Sequence, residues 1–252
     1  MNGRQMVIFR VMIFKMKFSI LISLLTSIAL SSCMVEQSLT LNPDYSGVWN
    51  LEGEAMPFTA SALDDLAILG GYNDATALYD EAVVNSRTDL AKRDDINSYQ
   101  VNRKGAQGWK ADIEFKDIET LLGSAEAQGI AEISSTGTIS TLSLRFDRER
   151  ASQLSELMPM MQDPSFSLFN PAATGGIGEE TYITGILGFT FGEENIPAIR
   201  RATIGMSVTL PGNITSVSGG TQTGDKTVRF ETPFTRFMVP DDKIHWSVSW
   251  RE

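Results

Sequence analysis

The sequence predicts an α+β fold: a largely antiparallel sheet, several packed helices and a strand-rich C-terminal third. Two observations predict it. Segments that alternate apolar and polar residues with period two recur near the start, in the middle and at the end of the chain. Segments with capping residues and apolar spacing of three or four fall between groups of strands, not after every strand. Cys33 is the only cysteine, so no intramolecular disulfide is available and the fold must stand on its core.

In order along the chain, Ser38-Leu39-Thr40-Leu41 alternates, and Val48-Trp49-Asn50-Leu51-Glu52 resumes the pattern after the turn residues Asn42-Pro43-Asp44-Tyr45-Ser46-Gly47. Proline and aspartate early in such a gap, with glycine late, predict a hairpin loop. Thr59 or Ser61 can cap a helix carrying Leu63, Leu66, Ala67 and Leu69, closed by Gly70-Gly71. A second helix is predicted over 73–93, with Leu78, Ala82, Val83 and Leu90, acidic early and basic late as the helix dipole favours. Tyr99 and Val101 mark a strand. Trp109, Ala111, Ile113 and Phe115 alternate with Lys110, Asp112, Glu114 and Lys116, which predicts a half-buried strand with a polar outer face. A helical turn or two follows over 117–122, then a hairpin of 130–135 and 139–146 about Thr136-Gly137, with Leu142, Leu144 and Phe146 on one face.

Asp147 can cap a helix over 148–161, which the prolines and glycines of 162–178 end. In 179–191, Tyr182, Ile183, Ile186 and Leu187 suit a helix while Gly185 and Gly188 weaken it. The last third alternates again: Ile204, Met206, Val208 and Leu210, then Val228 and Phe230, then Ile244, Trp246, Val248 and Trp250 with His245 on the opposite, polar face.

The first 32 residues contain Arg4, Arg10, Lys15 and Lys17 and no acid, and 18–30 is an apolar run. That run is shorter than the roughly 20 residues a permanent membrane helix needs, so it is expected to be a secretory signal. Met16 begins a signal of more usual length. The run ends in Leu30-Ser31-Ser32-Cys33. These four residues resemble the lipobox of bacterial lipoproteins, which implies cleavage between Ser32 and Cys33 and a diacylglyceryl group on the Cys33 sulfur. The expected organisation is therefore a signal peptide at 1–32 and a single domain at 33–252 in the cell envelope, lipid-anchored on the periplasmic face or the cell surface. Residues 36–39 are read as a short tether.

Loss of residues 1–32 takes four basic residues and no acid, leaving 17 basic against 31 acidic, a net charge of −14. Such a surface repels phosphate backbones and anionic lipid headgroups alike, which disfavours nucleic acid as a partner and leaves membrane attachment to acyl chains.

Motifs that carry chemistry are missing from the sequence. The single histidine, His245, has no second histidine or free thiol with which to build a zinc site, and no G-x-S-x-G, P-loop or H-E-x-x-H pattern occurs. Adjacent acids at Asp64-Asp65, Asp94-Asp95, Glu179-Glu180, Glu193-Glu194 and Asp241-Asp242 point apart on a helix or strand, and are read as solvated charge. Catalytic residues, metal ligands and cofactors are accordingly not expected. One stretch is apolar and methionine-rich beside chain breakers. Leu157, Met158, Met161, Phe166 and Phe169 within it are candidate contacts for a lipid, another amphiphile or the bilayer, methionine being adaptable at apolar binding surfaces; the competing reading is ordinary core.

The 39–51 segment resembles the opening hairpin of spirochaete-type lipoproteins, in which an Asp-Gly-Ser-Gly turn follows the lipidated cysteine; Tyr45 stands here in place of the first glycine. Met206-Ser207-Val208-Thr209-Leu210-Pro211-Gly212-Asn213-Ile214-Thr215 and Thr227-Val228-Arg229-Phe230 are similar to two strands of LppM-like lipoproteins. The resemblance implies an α+β lipoprotein domain without known enzymatic activity, in a family proposed to contact lipids. The expected function is a non-enzymatic envelope lipoprotein that binds a lipid or another amphiphile; the alternative is a scaffolding or assembly subunit for an envelope complex.

Overall fold

The computed structural model describes residues 34–55, 59, 64, 65, 67, 68, 72–105, 108–122, 129–151, 174 and 176–251. In chain order the elements are β1 (Met34–Leu41), β2 (Gly47–Glu54), α1 (Ala75–Leu90), β3 (Ile96–Arg103), β4 (Gly108–Phe115), α2 (Ile118–Leu122), β5 (Ala131–Thr136) and β6 (Ile139–Phe146). After them come α3, a continuous helix of Glu179–Thr181, a π-helical Tyr182–Leu187 and Gly188–Phe191, then α4 (Ile196–Ile199), β7 (Thr203–Thr209), β8 (Asn213–Ser218), β9 (Gly220–Gln222), β10 (Thr227–Pro233), α5 (Phe234–Met238) and β11 (Ile244–Arg251). The α+β class and the antiparallel character hold, but the strands divide into two sheets. One has the order β3-β4-β2-β1-β7-β10-β9 and the other β5-β6-β11-β8. Among the described residues the one parallel pair is β1 with β7, Val35 opposite Ile204 through Thr40 opposite Thr209.

The seven-stranded sheet has one apolar and one polar face, because the registers stack the alternating patterns. Leu39, Trp49, Ile113 and Tyr99 stand in one cross-strand row, with Val208 and Val228 continuing it on the other side of β1. Three covers bury this face. Tyr79, Val83 and Leu90 of α1 pack on Leu51, Val101, Trp109, Ala111 and Ile113. The four-stranded sheet brings Leu142, Val248 and Trp250 onto Leu39, Leu41, Val208, Val228 and Phe230, and Trp246 stacks on Phe230 with ring centroids 5.3 Å apart. The helices α3, α4 and α5 contribute Tyr182, Leu187, Ile199, Phe234 and Met238 to a cluster with Ala55 and Ile204. On the polar face Glu36, Ser38, Asn50 and Arg229 meet solvent or half-meet it.

Between β8 and β9 a single residue carries the chain from one sheet to the other. β8 ends at Ser218 in the four-stranded sheet and β9 starts at Gly220 in the seven-stranded one. The joint, Gly219, has φ +73°, and a Cβ there would collide with the His245 carbonyl, so only glycine permits both the backbone angle and the approach.

Several local expectations are corrected. Residues 36–39 are not a tether: they lie inside β1, whose backbone is paired from Met34 onward. The polar Glu36 and Ser38 misled because they occupy the open face of a central strand. α1 runs over Ala75–Leu90, shorter than predicted, and its first turn holds no acid; Asp74 caps it, accepting a hydrogen bond from the Ala77 N–H at 2.9 Å. The helices predicted near 61–69 and over 148–161 lie largely outside the described residues, though 148–151 are helical. Ser and Gly in 213–222 and the brevity of α4 and α5 left β8, β9 and these two helices without a readable pattern.

Tyr45 holds a left-handed backbone: its φ is +62°. A non-glycine residue there costs on the order of 1 kcal/mol or more. The compensation is visible. The Tyr45 hydroxyl bonds the Ser140 hydroxyl of β6 at 2.9 Å, its ring packs with the core shared by the two sheets, and its carbonyl accepts from the Ile118 N–H. One residue thus ties the β1–β2 hairpin to α2 and to the second sheet.

Gly219→Ala is expected to destabilise the protein by about 2 kcal/mol or more, and Tyr45→Phe by about 1 kcal/mol through loss of the Ser140 bond. Equilibrium denaturation of each variant measures both.

Candidate functional site

The strand directions define two ends of the seven-stranded sheet. β1 and β7 start at one end, and β2, β3 and β10 finish there; Met34 is opposite Glu54, and Val35 is opposite both Gly53 and Ile204. We call it the proximal end. The predicted lipidation site Cys33 and the predicted cleavage residue Ser32 lie just outside the described residues, one and two positions before β1. The other predicted contacts, Leu157, Met158, Met161, Phe166 and Phe169, also lie outside them.

The proximal end is capped by α3, α4 and α5. The π-helical stretch of α3 explains why its sequence fits no clean helical period: Tyr182, Ile183, Leu187 and Gly188 are all buried, a spacing of five that the wider turn brings onto one side. Thr184 and Thr190 return their hydroxyls to the carbonyls four residues back, at 2.9 and 2.8 Å. A Cβ on Gly188 would stand 3.1 Å from the Ile196 side chain, so this glycine lets α4 close on α3. Tyr182 is fully buried, and burial pushes its phenol upward. The outer side of the same helix carries Phe189, 90% exposed.

On the polar face near this end, Arg229 forms a bidentate bond to Glu36 at 2.9 and 2.8 Å and a further contact to Glu231. Donating these hydrogen bonds to Glu36 raises the guanidinium pKa. Gly205 of β7, between the partners, makes room: a Cβ there would stand 2.7 Å from the guanidinium. The cross-strand tie joins β10 to β1 over β7.

A cavity of about 230 Å³ lies beside the β5–β6 hairpin, lined by the apolar Leu122, Ile130 and Ala131 and by Glu132, Arg145 and Arg150. Arg150 is held by Asp147 at 2.6 Å and by the Gly129 carbonyl. Arg145 is half exposed, with Glu132 4.0 Å away. No local sequence pattern announces that Arg145 and Arg150 line one cavity with Leu122, Ile130 and Ala131.

The acidic pairs Glu179-Glu180 and Asp241-Asp242 are used one by one in structural contacts. Glu179 accepts from the Thr235 hydroxyl at 2.5 Å, Glu180 pairs Arg200 at 2.6 Å, and Asp242 pairs Arg236 at 2.8 Å. Asp241 accepts from the Gly176 N–H at 2.7 Å and from Arg148 at 3.1 Å. His245 is exposed on β11, opposite Arg145 of β6. Among the described residues no three His, Cys, Asp or Glu side chains group as a metal site, and no helix is long and apolar enough to cross a membrane.

No protein-family model matches the chain, and no curated protein matches its sequence. Among solved structures it is similar to the folded domain of the LppM protein of Mycobacterium tuberculosis, determined by NMR. The match covers 88% of this chain and 90% of that one at 12% identity, with a TM-score of 0.41. No residue role is carried over from it.

Asp95 provides a pH test of these ion pairs. The hydrogen bond from Arg93 holds its carboxyl below the ordinary value of 3.8, against partial burial, with Arg93 and Lys116 charges assisting. A depressed folded-state pKa stabilises the fold above the unfolded value, and that contribution is lost as pH falls through the folded one. Asp95→Asn should therefore cost on the order of 1 kcal/mol at neutral pH and flatten the loss of stability below about pH 4, measured by urea denaturation across pH.

Proposed function

We propose that the chain is the precursor of a non-enzymatic cell-envelope lipoprotein, held to a membrane by acyl chains on Cys33. The observation that carries the reading joins sequence to fold. The signal and lipobox residues end at Cys33, and the next residue, Met34, is already paired with Glu54 in the sheet, so cleavage before Cys33 would remove none of the described strands. A net charge of −14 in the mature chain gives no electrostatic route to an anionic membrane. Acyl chains supply the affinity instead, at about 0.8 kcal/mol per buried methylene.

Within that reading the mature domain binds an amphiphile at the β5–β6 cavity. Leu122, Ile130 and Ala131 offer an apolar floor and Arg145 an exposed cation at the rim. The cavity's 230 Å³ is below the roughly 300–1,000 Å³ of sites that enclose a drug-sized ligand. It therefore takes a headgroup and the first methylenes of a chain, not a whole lipid. The cavity favours this reading over a scaffolding role.

Intact mass of the envelope-extracted protein is expected to give a chain starting at Cys33 with acyl mass. Cys33→Ser should remain uncleaved and unacylated; a processed Cys33→Ser chain would overturn the anchor. Lysophosphatidylglycerol should raise the melting temperature of the acylated protein, and Arg145→Gln should abolish that shift without changing the ligand-free value. An unchanged shift would remove the cavity as the site.

A further inference from the structure

We infer that the proximal end of the fold lies directly on the bilayer, with Phe189 seated in the lipid interface. The inference rests on the lipoprotein reading, and goes beyond it by assigning one face and one orientation. A trans peptide holds consecutive Cα atoms about 3.8 Å apart. Acyl chains on residue 33 therefore start within one residue of the Met34–Glu54 rung of the sheet. No flexible spacer separates anchor from fold, since β1 is a central strand bonded to β2 on one side and β7 on the other. The far end of β1, at Leu41, is about 23 Å away along the strand. The anchor thus cannot be satisfied with the distal end down unless β1 is pulled out of the sheet.

What covers the proximal end fits a lipid surface. Ala55, Ile204 and Phe234, which follow or open strands at this end, pack with α3 and α4, and Phe189 projects from α3 at 90% exposure. Ile68, 59% exposed, sits in the segment that Asp64 ties to the start of α1 through the Ala75 N–H at 2.9 Å; Ala75 belongs to the same cluster. Of the four large apolar side chains exposed among the described residues, Phe189 is the most exposed and sits on a helix of this cluster. An exposed phenylalanine on a free protein is a weak membrane contact. On a chain already anchored a few ångströms away the contact is intramolecular, and a high effective concentration populates it. The exposed Glu193 and Glu194 beside it, and the Arg200–Glu180 pair, provide no net positive patch. The contact is accordingly with the apolar interior of the interface and does not need anionic lipid.

The test uses the full chain, processed in cells and reconstituted in phosphatidylcholine vesicles. Acylation blocks Cys33, the one native thiol, so a single engineered cysteine accepts an environment-sensitive fluorophore. Phe189→Cys places it at the proximal end. Gly224→Cys places it in the β9–β10 turn at the distal end, where a Cβ meets nothing closer than 3.8 Å. Phosphatidylcholine with brominated acyl chains is expected to quench the label at 189 several-fold more strongly than the label at 224. Equal quenching on protein whose mass shows the acyl group would overturn the orientation and leave the lipoprotein reading standing. A label at 189 shielded from both brominated lipid and aqueous iodide would also overturn it, placing a protein surface over Phe189. A protein without acyl mass would overturn both.

Discussion

β1 is the strand on which the rest of the structure depends. It joins β2, β4 and β3 on one side to β7, β10 and β9 on the other, and makes the fold's parallel pairing. Without it the apolar face would split down the middle, and the core that Leu39 and Leu41 share with Val208, Val228 and Trp250 would open to water. Nothing in β1 compensates through a disulfide. Its security comes from two ladders of backbone hydrogen bonds and from the Glu36–Arg229 tie across β7. A half-exposed pair of this kind contributes modestly to stability; its larger effect is on register, because a one-residue slip would turn Leu39 and Leu41 out of the core.

The one-sided chemistry of the seven-stranded sheet organises everything else. Each cover takes a portion of the apolar face: α1 the β2–β4–β3 side, the second sheet the distal and central part, and α3 to α5 the proximal end. Two glycines decide how closely these layers approach. Gly219 turns the chain between sheets, and Gly188 lets α4 close on α3. Most cross-strand neighbours on the polar face are charged, amide or hydroxyl side chains, such as Glu36, Ser38, Asn50 and Asp112, that water solvates.

How much of this was legible in the sequence follows from how each residue meets its neighbours. Strands with one buried face declared themselves: Trp109 to Phe115, Ile204 to Leu210 and Ile244 to Trp250 alternate because one side is core and the other is not. β1 was half legible, since Leu39 and Leu41 alternate, while the polar side chains of Glu36 and Ser38 concealed that the backbone around them is paired on both sides. β8 and β9, rich in serine, threonine and glycine, are held by pairing and not by burial, so hydrophobic period could not find them. The π-helical turn in α3 gave a spacing of five that no standard template fits. Of the candidate site, the predicted lipidation residue Cys33 rests on the sequence alone, targeting signals being local in sequence. The cavity was not legible there, since Leu122, Ile130 and Arg145 come together only through the packing of α2 against the β5–β6 hairpin. Phe189 was hidden for the same reason: exposure is a property of the fold.

β1 is an interior strand already paired at Met34, the residue after the predicted lipidation site, which leaves no tether between the two. Hydrogen exchange on the acylated, membrane-extracted protein tests this most directly. Amides of the Met34–Leu41 strand should exchange as slowly as those of β2 and β7, because they are lost only when the sheet opens as a whole. Fast exchange confined to the first residues of that strand, with β2 and β7 protected, would make them a flexible linker and contradict the account.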